Sequence, residues 1–388
     1  MPPRVFQEMG SEAMKILQVV PALEQGGVER GTLEVASALA AAGIPNAVAS
    51  SGGRLVECLG SLGVEHFTLP LASKNPFTVR ANGSRLARIV REGGFTLMHV
   101  RSRAPAWSVR RASRLSGVPF IATWHGLYGT KPAWLKIPYN RVMLSGVLTI
   151  AVSDCVREHI VSVYGADPSK IVRIHRGADV EKFRPDAVSA EAAAEFRARL
   201  GVEDGGSLVT LPGRLTFWKG QMILLDAVAA AKHKGITVLF VGSDQGRSDY
   251  TASLKERASR LGDGKRAVFL EHTDDMPLVY AASDVVVSAS SAQPEAFGRV
   301  IPEAQAMGRI VVGTAHGGAC ETISDGETGF LVPPGAPLAL AAALDRALSM
   351  SPEESRRMSD AAVASVRENF STRRMCERTI AVYRQIQC

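Results

Sequence analysis

The amino-acid sequence predicts an α/β fold made of two doubly wound, parallel-sheet domains. Three observations carry that prediction. Short β-rich apolar runs alternate with Ala-rich amphipathic stretches along the chain, the pattern of repeated strand–helix units. The alternation runs through twice, interrupted by a charged, Ala-rich break at 177–201 that contains Pro185. At roughly 150 residues per domain, 388 residues correspond to two or three domains.

The first series opens on the strand Lys15–Val20, followed by the turn Glu24-Gln25-Gly26-Gly27. A helix from Val28 to Ala41 ends at Gly43, a residue suited to the left-handed helix terminus. Further strands are expected at Asn46–Ser50, Glu65–Leu69, Thr96–Val100, Phe120–Thr123 and Leu148–Val152, with helices such as Ala104–Leu115 between them. The second series places strands at Leu208–Pro212, Val238–Gly242, Val268–Glu271, Val285–Ser288, Ile310–Thr314 and Gly329–Val332. The last stretch, Thr372–Gln387, reads as an isolated amphipathic helix. Met14 directly precedes the first strand, so residues 1–13 are expected to be either a disordered extension or the product of an upstream mis-start. The expected domains are 14–176 and 177–366, with a terminal helical segment at 367–388. Ligands of doubly wound domains bind outside the carboxyl ends of the strands, where two facing domains would form a cleft.

Composition narrows the function classes. Hydrophobic residues make up 46% and charged residues 21%, which excludes disordered, collagenous and coiled-coil chains. No apolar run approaches the ~20 residues that span a bilayer, and the N-terminus has no apolar signal region. Cys58, Cys155, Cys320, Cys376 and Cys388 are scattered, with no CxxC. No disulfide framework and no metal site is expected, and a cytoplasmic location fits.

The net charge of +7 comes from 45 basic and 38 acidic residues. Up to residue 176 there are 21 basic against 11 acidic residues; after it, 24 against 27. No acidic residue lies between Glu92 and Asp154, a window that holds Arg101, Arg103, Arg110, Arg111, Arg114, Lys131, Lys136 and Arg141. A field of one sign attracts anionic partners. No nucleic-acid-binding motif accompanies it, so nucleic acid is not expected.

Three motifs carry chemistry. Gly26-Gly27-Val28 sits at a strand-to-helix turn, where free N–H groups favour an anion; a plain turn is the alternative, since neither GxGxxG nor a Walker A pattern occurs. Gly213-Arg214-Leu215-Thr216-Phe217-Trp218-Lys219-Gly220 brings two cations into one loop after a strand. A forked guanidinium and a point-charge ammonium suit a diphosphate, the alternative being a solvated loop. Pro294-Glu295-Ala296-Phe297-Gly298-Arg299-Val300-Ile301-Pro302-Glu303 carries two glutamates that would share one face if the span were helical. Carboxylates accept hydrogen bonds from sugar hydroxyls. Gly313–Ile323 and Asp325–Pro334 follow, with Gly317-Gly318 expected to expose backbone N–H groups.

These motifs, in this order, resemble glycosyltransferase family 4, retaining nucleotide-sugar transferases of the GT-B fold, in which two Rossmann-like domains face a central cleft. The likeness runs from Lys15 to the end. It implies that Arg214 and Lys219 hold the donor diphosphate, Glu295 the donor-sugar hydroxyls and Glu303 the ribose. The backbone of Phe297, Gly298 and Arg299 would border sugar and phosphates, with Gly298 and Val300 packed beside the donor and the base near Glu271–Met276. Gly27 would border the phosphate from the N-terminal, acceptor-binding domain, onto which the terminal helix would cross back. His125, in Thr123-Trp124-His125-Gly126, stands where the family has a sugar-contacting histidine; a core histidine is the alternative. Ala292-Gln293 departs from the family, where an acidic residue is common.

Arg101-Ser102-Arg103-Ala104-Pro105-Ala106-Trp107 and the Trp124-His125 stretch resemble lipopolysaccharide-core transferases, including mannosyltransferases. That narrower likeness implies a GDP- or UDP-linked hexose donor, an anionic lipid-linked glycan acceptor touched by Arg101 and Arg103, and work at the cytoplasmic membrane face. Trp134, Leu135, Ile137 and Tyr139, mixed with Lys131, Lys136 and Arg141, either dock on that face or pack on their own domain. No DxD-type motif and no nucleophilic carboxylate is identified, so neither a metal nor another cofactor is expected. Rival readings are another GT-B enzyme (an epimerase or a phosphorylase) and a non-catalytic sugar-binding protein.

Overall fold

The computed structural model describes residues 14–24, 26–271 and 273–387. The extension expected at 1–13 lies outside them. The chain divides into two compact units. One runs up to Ile174 and takes in the terminal segment from Met375; the other runs from His175 to Arg374.

The first unit begins with β1 (Ile16–Val19), α1 (Gly27–Ala41), β2 (Asn46–Ser50), α2 (Val56–Ser61), β3 (Glu65–Thr68) and α3 (Pro76–Glu92). It continues through β4 (Leu97–Val100), α4 (Arg103–Ser116), β5 (Phe120–Trp124), α5 (Ala133–Arg141), β6 (Leu148–Ala151), α6 (Asp154–Tyr164) and β7 (Ile171–Arg173). The strands form one parallel sheet in the order β3-β2-β1-β4-β5-β6-β7. The central strand β1 is buried throughout, which is why its sequence is a nearly continuous apolar run rather than an alternating one. In α1 the buried residues Thr32, Val35, Ala36 and Leu39 recur at helical spacing and face the sheet. Asn75 caps α3 by accepting from the N–H groups of Phe77 and Thr78, and Pro76 occupies the first turn, where it costs no hydrogen bond.

The second unit contains α7 (Ala190–Arg199), β8 (Ser207–Pro212), α8 (Gln221–Ala230), β9 (Ile236–Val241), α9 (Ser248–Ala258), β10 (Arg266–Leu270) and α10 (Met276–Ala282). Then come β11 (Val285–Ser288), α11 (Val300–Ala306), β12 (Ile310–Thr314), α12 (Ala319–Thr322), β13 (Phe330–Val332), α13 (Pro337–Leu348) and α14 (Pro352–Asn369). Its sheet is also parallel, ordered β10-β9-β8-β11-β12-β13. Both units are therefore doubly wound, as expected. Helices α6, α13 and α14, which follow the last expected strand of each series, were not expected from the sequence, and neither were β7 and α7. β7 is a three-residue strand with too little period to register. Helix α7 lies inside the charged break at 177–201, and its one fully buried side chain is Phe196.

The last helix, α15 (Thr372–Gln387), buries Met375, Cys376, Thr379, Ile380 and Tyr383 along one face. From Met375 onward this face packs into the core of the first unit, against Ile16, Val35, Leu97, Ile121 and Ile150. Burying a large apolar side chain contributes about 1.5–3 kcal/mol, so this face anchors the helix. A polar contact is buried within it. The Tyr383 hydroxyl lies 2.5 Å from His99 Nδ1, and His99 Nε2 lies 2.6 Å from Thr123 Oγ1. Burial, followed by the nearby charges of Arg101 and His125, holds His99 well below the usual histidine range and thus neutral. Tyr383→Phe leaves a buried ring nitrogen without its partner, which costs about 1–3 kcal/mol. The expected result in a thermal melt is a Tm lowered by roughly 2–12 °C; an unchanged Tm would remove the contact from the list of stabilising interactions.

Candidate functional site

In the second unit the chain starts in the middle of the sheet at β8, moves out to β10, then reverses to β11. The point of reversal lies between β8 and β11, and ligands of such sheets bind outside the carboxyl ends of the strands there. The loop after β8 is Gly213–Gly220, and the loop after β11 carries Glu295. The second and third sequence motifs thus meet at one place.

The meeting is a direct contact. Lys219 Nζ donates to Glu295 Oε1 in a short ion pair, with both side chains largely buried. Ser290 Oγ donates to the same oxygen at 3.4 Å. Lys219 Nζ also stands 4.7 Å from the centre of the Trp218 ring, a cation–π arrangement. The loops are further joined where Ser291 N–H donates to the Trp218 carbonyl at 2.9 Å. Gly220 carries φ 80°, and a Cβ there would collide with the Ala289 carbonyl. Arg214, by contrast, is exposed, and its Nη1 reaches Gln245 Oε1 at 3.5 Å. It is not paired to Glu295, which leaves its guanidinium turned to solvent.

The two glutamates do not share a helical face. Glu295 lies in an extended bridge opposite Gly317, and the helix starts only at Val300. The condition for a shared face, a span helical throughout, is not met: Gly298 takes φ 79°, a left-handed turn that a helix interior excludes. Glu303, inside α11, is 7% exposed. Its Oε1 accepts from Arg299 Nε and its Oε2 from the Tyr280 hydroxyl, both at 3.2 Å. Gly317-Gly318 also differs from expectation. The Gly318 N–H is not free: it donates to the Glu295 carbonyl at 2.9 Å. A Cβ at Gly318 would run into the Phe297 backbone. These glycines let the loop after β12 approach the Glu295–Phe297 turn. Phe297 is buried, its ring 5.6 Å from that of His175, whose Nε2 pairs with Glu321 Oε2 at 2.8 Å. Tyr280, Gln245 and His175 belong to no motif, and no local signal in the sequence singles them out. The expected base-stacking stretch 271–276 is described except for His272; within it Asp275 caps α10 by accepting from the Leu278 N–H.

In the first unit the reversal lies between β1 and β4. Gly27 starts α1 just beyond β1, and space is open around its Cα. Arg103 starts α4 just beyond β4. Its guanidinium lies 4.0 Å from the centre of the Tyr128 ring, and Nη1 donates to Asn140 Oδ1 at 3.2 Å. Asn140 in turn donates to the Tyr164 hydroxyl at 2.8 Å. Arg103 is thereby held in one orientation and half-buried. His125 directly follows β5, beside Trp124 and Tyr128, whose rings are 5.0 Å apart.

Arg101 is corrected by the structure. It is 3% exposed, and its Nε donates to Gln18 Oε1 at 3.0 Å inside the sheet. A side chain so placed reaches no acceptor at the surface. It directly follows β4, whose residues are all buried, and Gln18 of β1 and Tyr383 of α15 supply its partners.

Comparison with known proteins follows the same division. Glycosyltransferase Family 4 matches residues 25–182, and Glycosyl transferases group 1 matches residues 193–364. The D-inositol 3-phosphate glycosyltransferase of Frankia alni is 31% identical, over 75% of this chain and 83% of its own length. A crystal structure of a glycosyltransferase from Rickettsia africae superposes with TM-score 0.89 at 36% identity, covering 96% of this chain and 98% of the other. Anabaena HepE in complex with UDP-glucose superposes with TM-score 0.82 at 25% identity, covering 96% and 100%. A lipopolysaccharide outer core galactosyltransferase, WaaB, reaches TM-score 0.74 at 16% identity, covering 96% and 100%, a likeness of fold alone. With both halves matched and the two-sheet GT-B architecture in place, the chain belongs to glycosyltransferase family 4, as a hexosyltransferase that takes its sugar from a nucleotide-sugar donor.

Proposed function

We propose that the protein is a retaining transferase that moves a hexose, with mannose favoured, from a GDP- or UDP-linked donor to an anionic acceptor. The observation that carries the donor half is the convergence of Lys219 and Glu295 at the carboxyl ends of β8 and β11. Before the donor arrives, Glu295 holds the ammonium in place. Lys219 and Arg214 then stabilise charge as it develops on the leaving diphosphate. Glu295 accepts hydroxyls of the donor sugar. Glu303 uses its remaining lone pairs for the ribose, since a carboxylate has about four acceptor positions and the protein occupies two. The backbone of Phe297, Gly298 and Arg299 borders the sugar and phosphates. The chemistry named needs no metal or other cofactor.

The acceptor half rests on charge: no acidic residue lies between Glu92 and Asp154. A lipid-linked glycan of the lipopolysaccharide-core type, met at the inner face of the cytoplasmic membrane, matches that field. A second reading is favoured by the relatives, which are named D-inositol 3-phosphate glycosyltransferases: a phosphorylated polyol in solution is also anionic. Thermal shift against GDP- and UDP-sugars identifies the donor. With that donor, Arg103→Glu is expected to raise the acceptor KM at least ~10-fold, the size of one lost charge-assisted contact, while donor hydrolysis is unchanged. An unaltered KM removes Arg103 from the acceptor site. Transfer to a phosphorylated polyol but not to a lipid-linked glycan selects the second reading.

A further inference from the structure

A groove on the first unit lies apart from every residue assigned to donor or acceptor contact. It measures 490 Å³ and runs along α3 and α4, closed at one side by Tyr139 of α5. Its lining includes five cations, Lys74, Arg80, Arg110, Arg111 and Arg114, and no carboxylate. Among the described residues none of the five forms an ion pair. The apolar part of the wall centres on Trp107, whose ring lies 6.2 Å from that of Tyr139 and 5.9 Å from the Arg110 guanidinium.

Exposed apolar side chains lie on the same three helices, and one of them, Leu115, lines the groove itself. Seven large hydrophobic side chains are exposed among the described residues, and four of them sit on α3, α4 and α5: Phe77, Leu115, Trp134 and Leu135. Phe77 is 84% and Trp134 78% exposed. Helix α5 buries only Asn140, so it is not held by an apolar face of its own against the sheet. Unpaired cations flanked by exposed aromatic side chains match the boundary of an anionic bilayer, where aromatic rings enter the headgroup layer and Lys and Arg stems reach phosphates. A soluble polyanion would be recognised by the cations but gives no reason for exposed Phe77 and Trp134.

We propose that the α3–α4 groove seats the phosphate of an anionic membrane lipid, with Phe77 and Trp134 inserted beside it. The proposal rests on the reading of a lipid-linked acceptor, and it is tested without acceptor. The assay is co-sedimentation with phosphatidylcholine vesicles that contain or lack phosphatidylglycerol. Binding is expected only with phosphatidylglycerol and is expected to weaken as salt rises, because the Debye length falls to ~3 Å at 1 M. Combined Lys74→Gln, Arg80→Gln and Arg114→Gln should lower partitioning on the order of a hundredfold, at about fivefold per charge. All three side chains are exposed, and an unchanged melting temperature and donor hydrolysis would show that the fold and donor site are intact. Lys232→Gln, Lys234→Gln and Lys255→Gln, exposed in the second unit, remove the same net charge and should leave partitioning within about twofold. Phe77→Ala with Trp134→Ala should weaken binding without changing its salt dependence. Equal partitioning of the two charge variants, no binding to phosphatidylglycerol vesicles, or release of bound protein by glycerol phosphate or duplex DNA would overturn the proposal. Failure here with donor hydrolysis preserved leaves the transferase reading standing.

Discussion

Lys219→Ala is expected to lower sugar transfer by roughly 10- to 150-fold, the range for losing a charge-assisted contact of about 1.5–3 kcal/mol. The structure adds a reason to expect the upper end. Lys219 is paired with Glu295 in a largely buried position. Removing the ammonium therefore withdraws one cation from the diphosphate and also leaves a carboxylate uncompensated beside it. Lys219→Met, which keeps the stem against Trp218, should show the same loss and separates charge from packing. Arg214 is exposed and tied only loosely to Gln245, so Arg214→Ala should cost about tenfold and leave stability unchanged. Steady-state kinetics with a fixed acceptor reads both variants; equal rates in the parent and Lys219→Met would exclude Lys219 from diphosphate stabilisation.

Glu303→Gln is expected to weaken binding of the nucleoside diphosphate by about tenfold, whereas Glu295→Gln should spare that binding and slow transfer. The division follows from where each side chain is held. Glu303 is fixed in α11 by Arg299 and Tyr280; Glu295 faces Lys219 from the extended turn before it. Glutamine is the appropriate substitution at Glu303. Alanine would remove both hydrogen bonds of a side chain that is 7% exposed, and breaking such a buried pair costs about 3–5 kcal/mol in stability alone. Titration calorimetry with GDP and UDP provides the measurement. Equal loss of binding in the two variants would show that the carboxylates act on one part of the donor.

Much of this site was readable before any coordinates. Gly213–Gly220, Glu295–Glu303 and Gly313–Pro334 each sit at the end of a strand, and turn chemistry together with strand–helix alternation is local information. The order of the two series, with a charged break between them, was enough to place those loops at the carboxyl ends of parallel strands. Whether Glu295 and Glu303 share a helical face was decided by one residue, Gly298, whose positive φ ends the extended turn before α11 begins. Nothing in the spacing distinguishes a glutamate two turns along a helix from one that precedes it.

The sequence by itself determined the fold class, the two doubly wound series, the acid-free cationic segment and the loops at the carboxyl ends of β8 and β11. These depend on periodicity, on glycine placement and on counted charge, all of which are properties of neighbours along the chain. Only the tertiary structure decided that Lys219 faces Glu295 across 76 positions and that Tyr280 completes Glu303. It alone decided that Arg101 is a core residue while Arg103, two positions on, is held at the rim by Tyr128 and Asn140. Desolvation and hydrogen-bond pairing act through space between segments far apart in the chain. For Arg101 the partners that make burial tolerable, Gln18 and Tyr383, come from β1 and from α15, the first strand and the last helix of the fold.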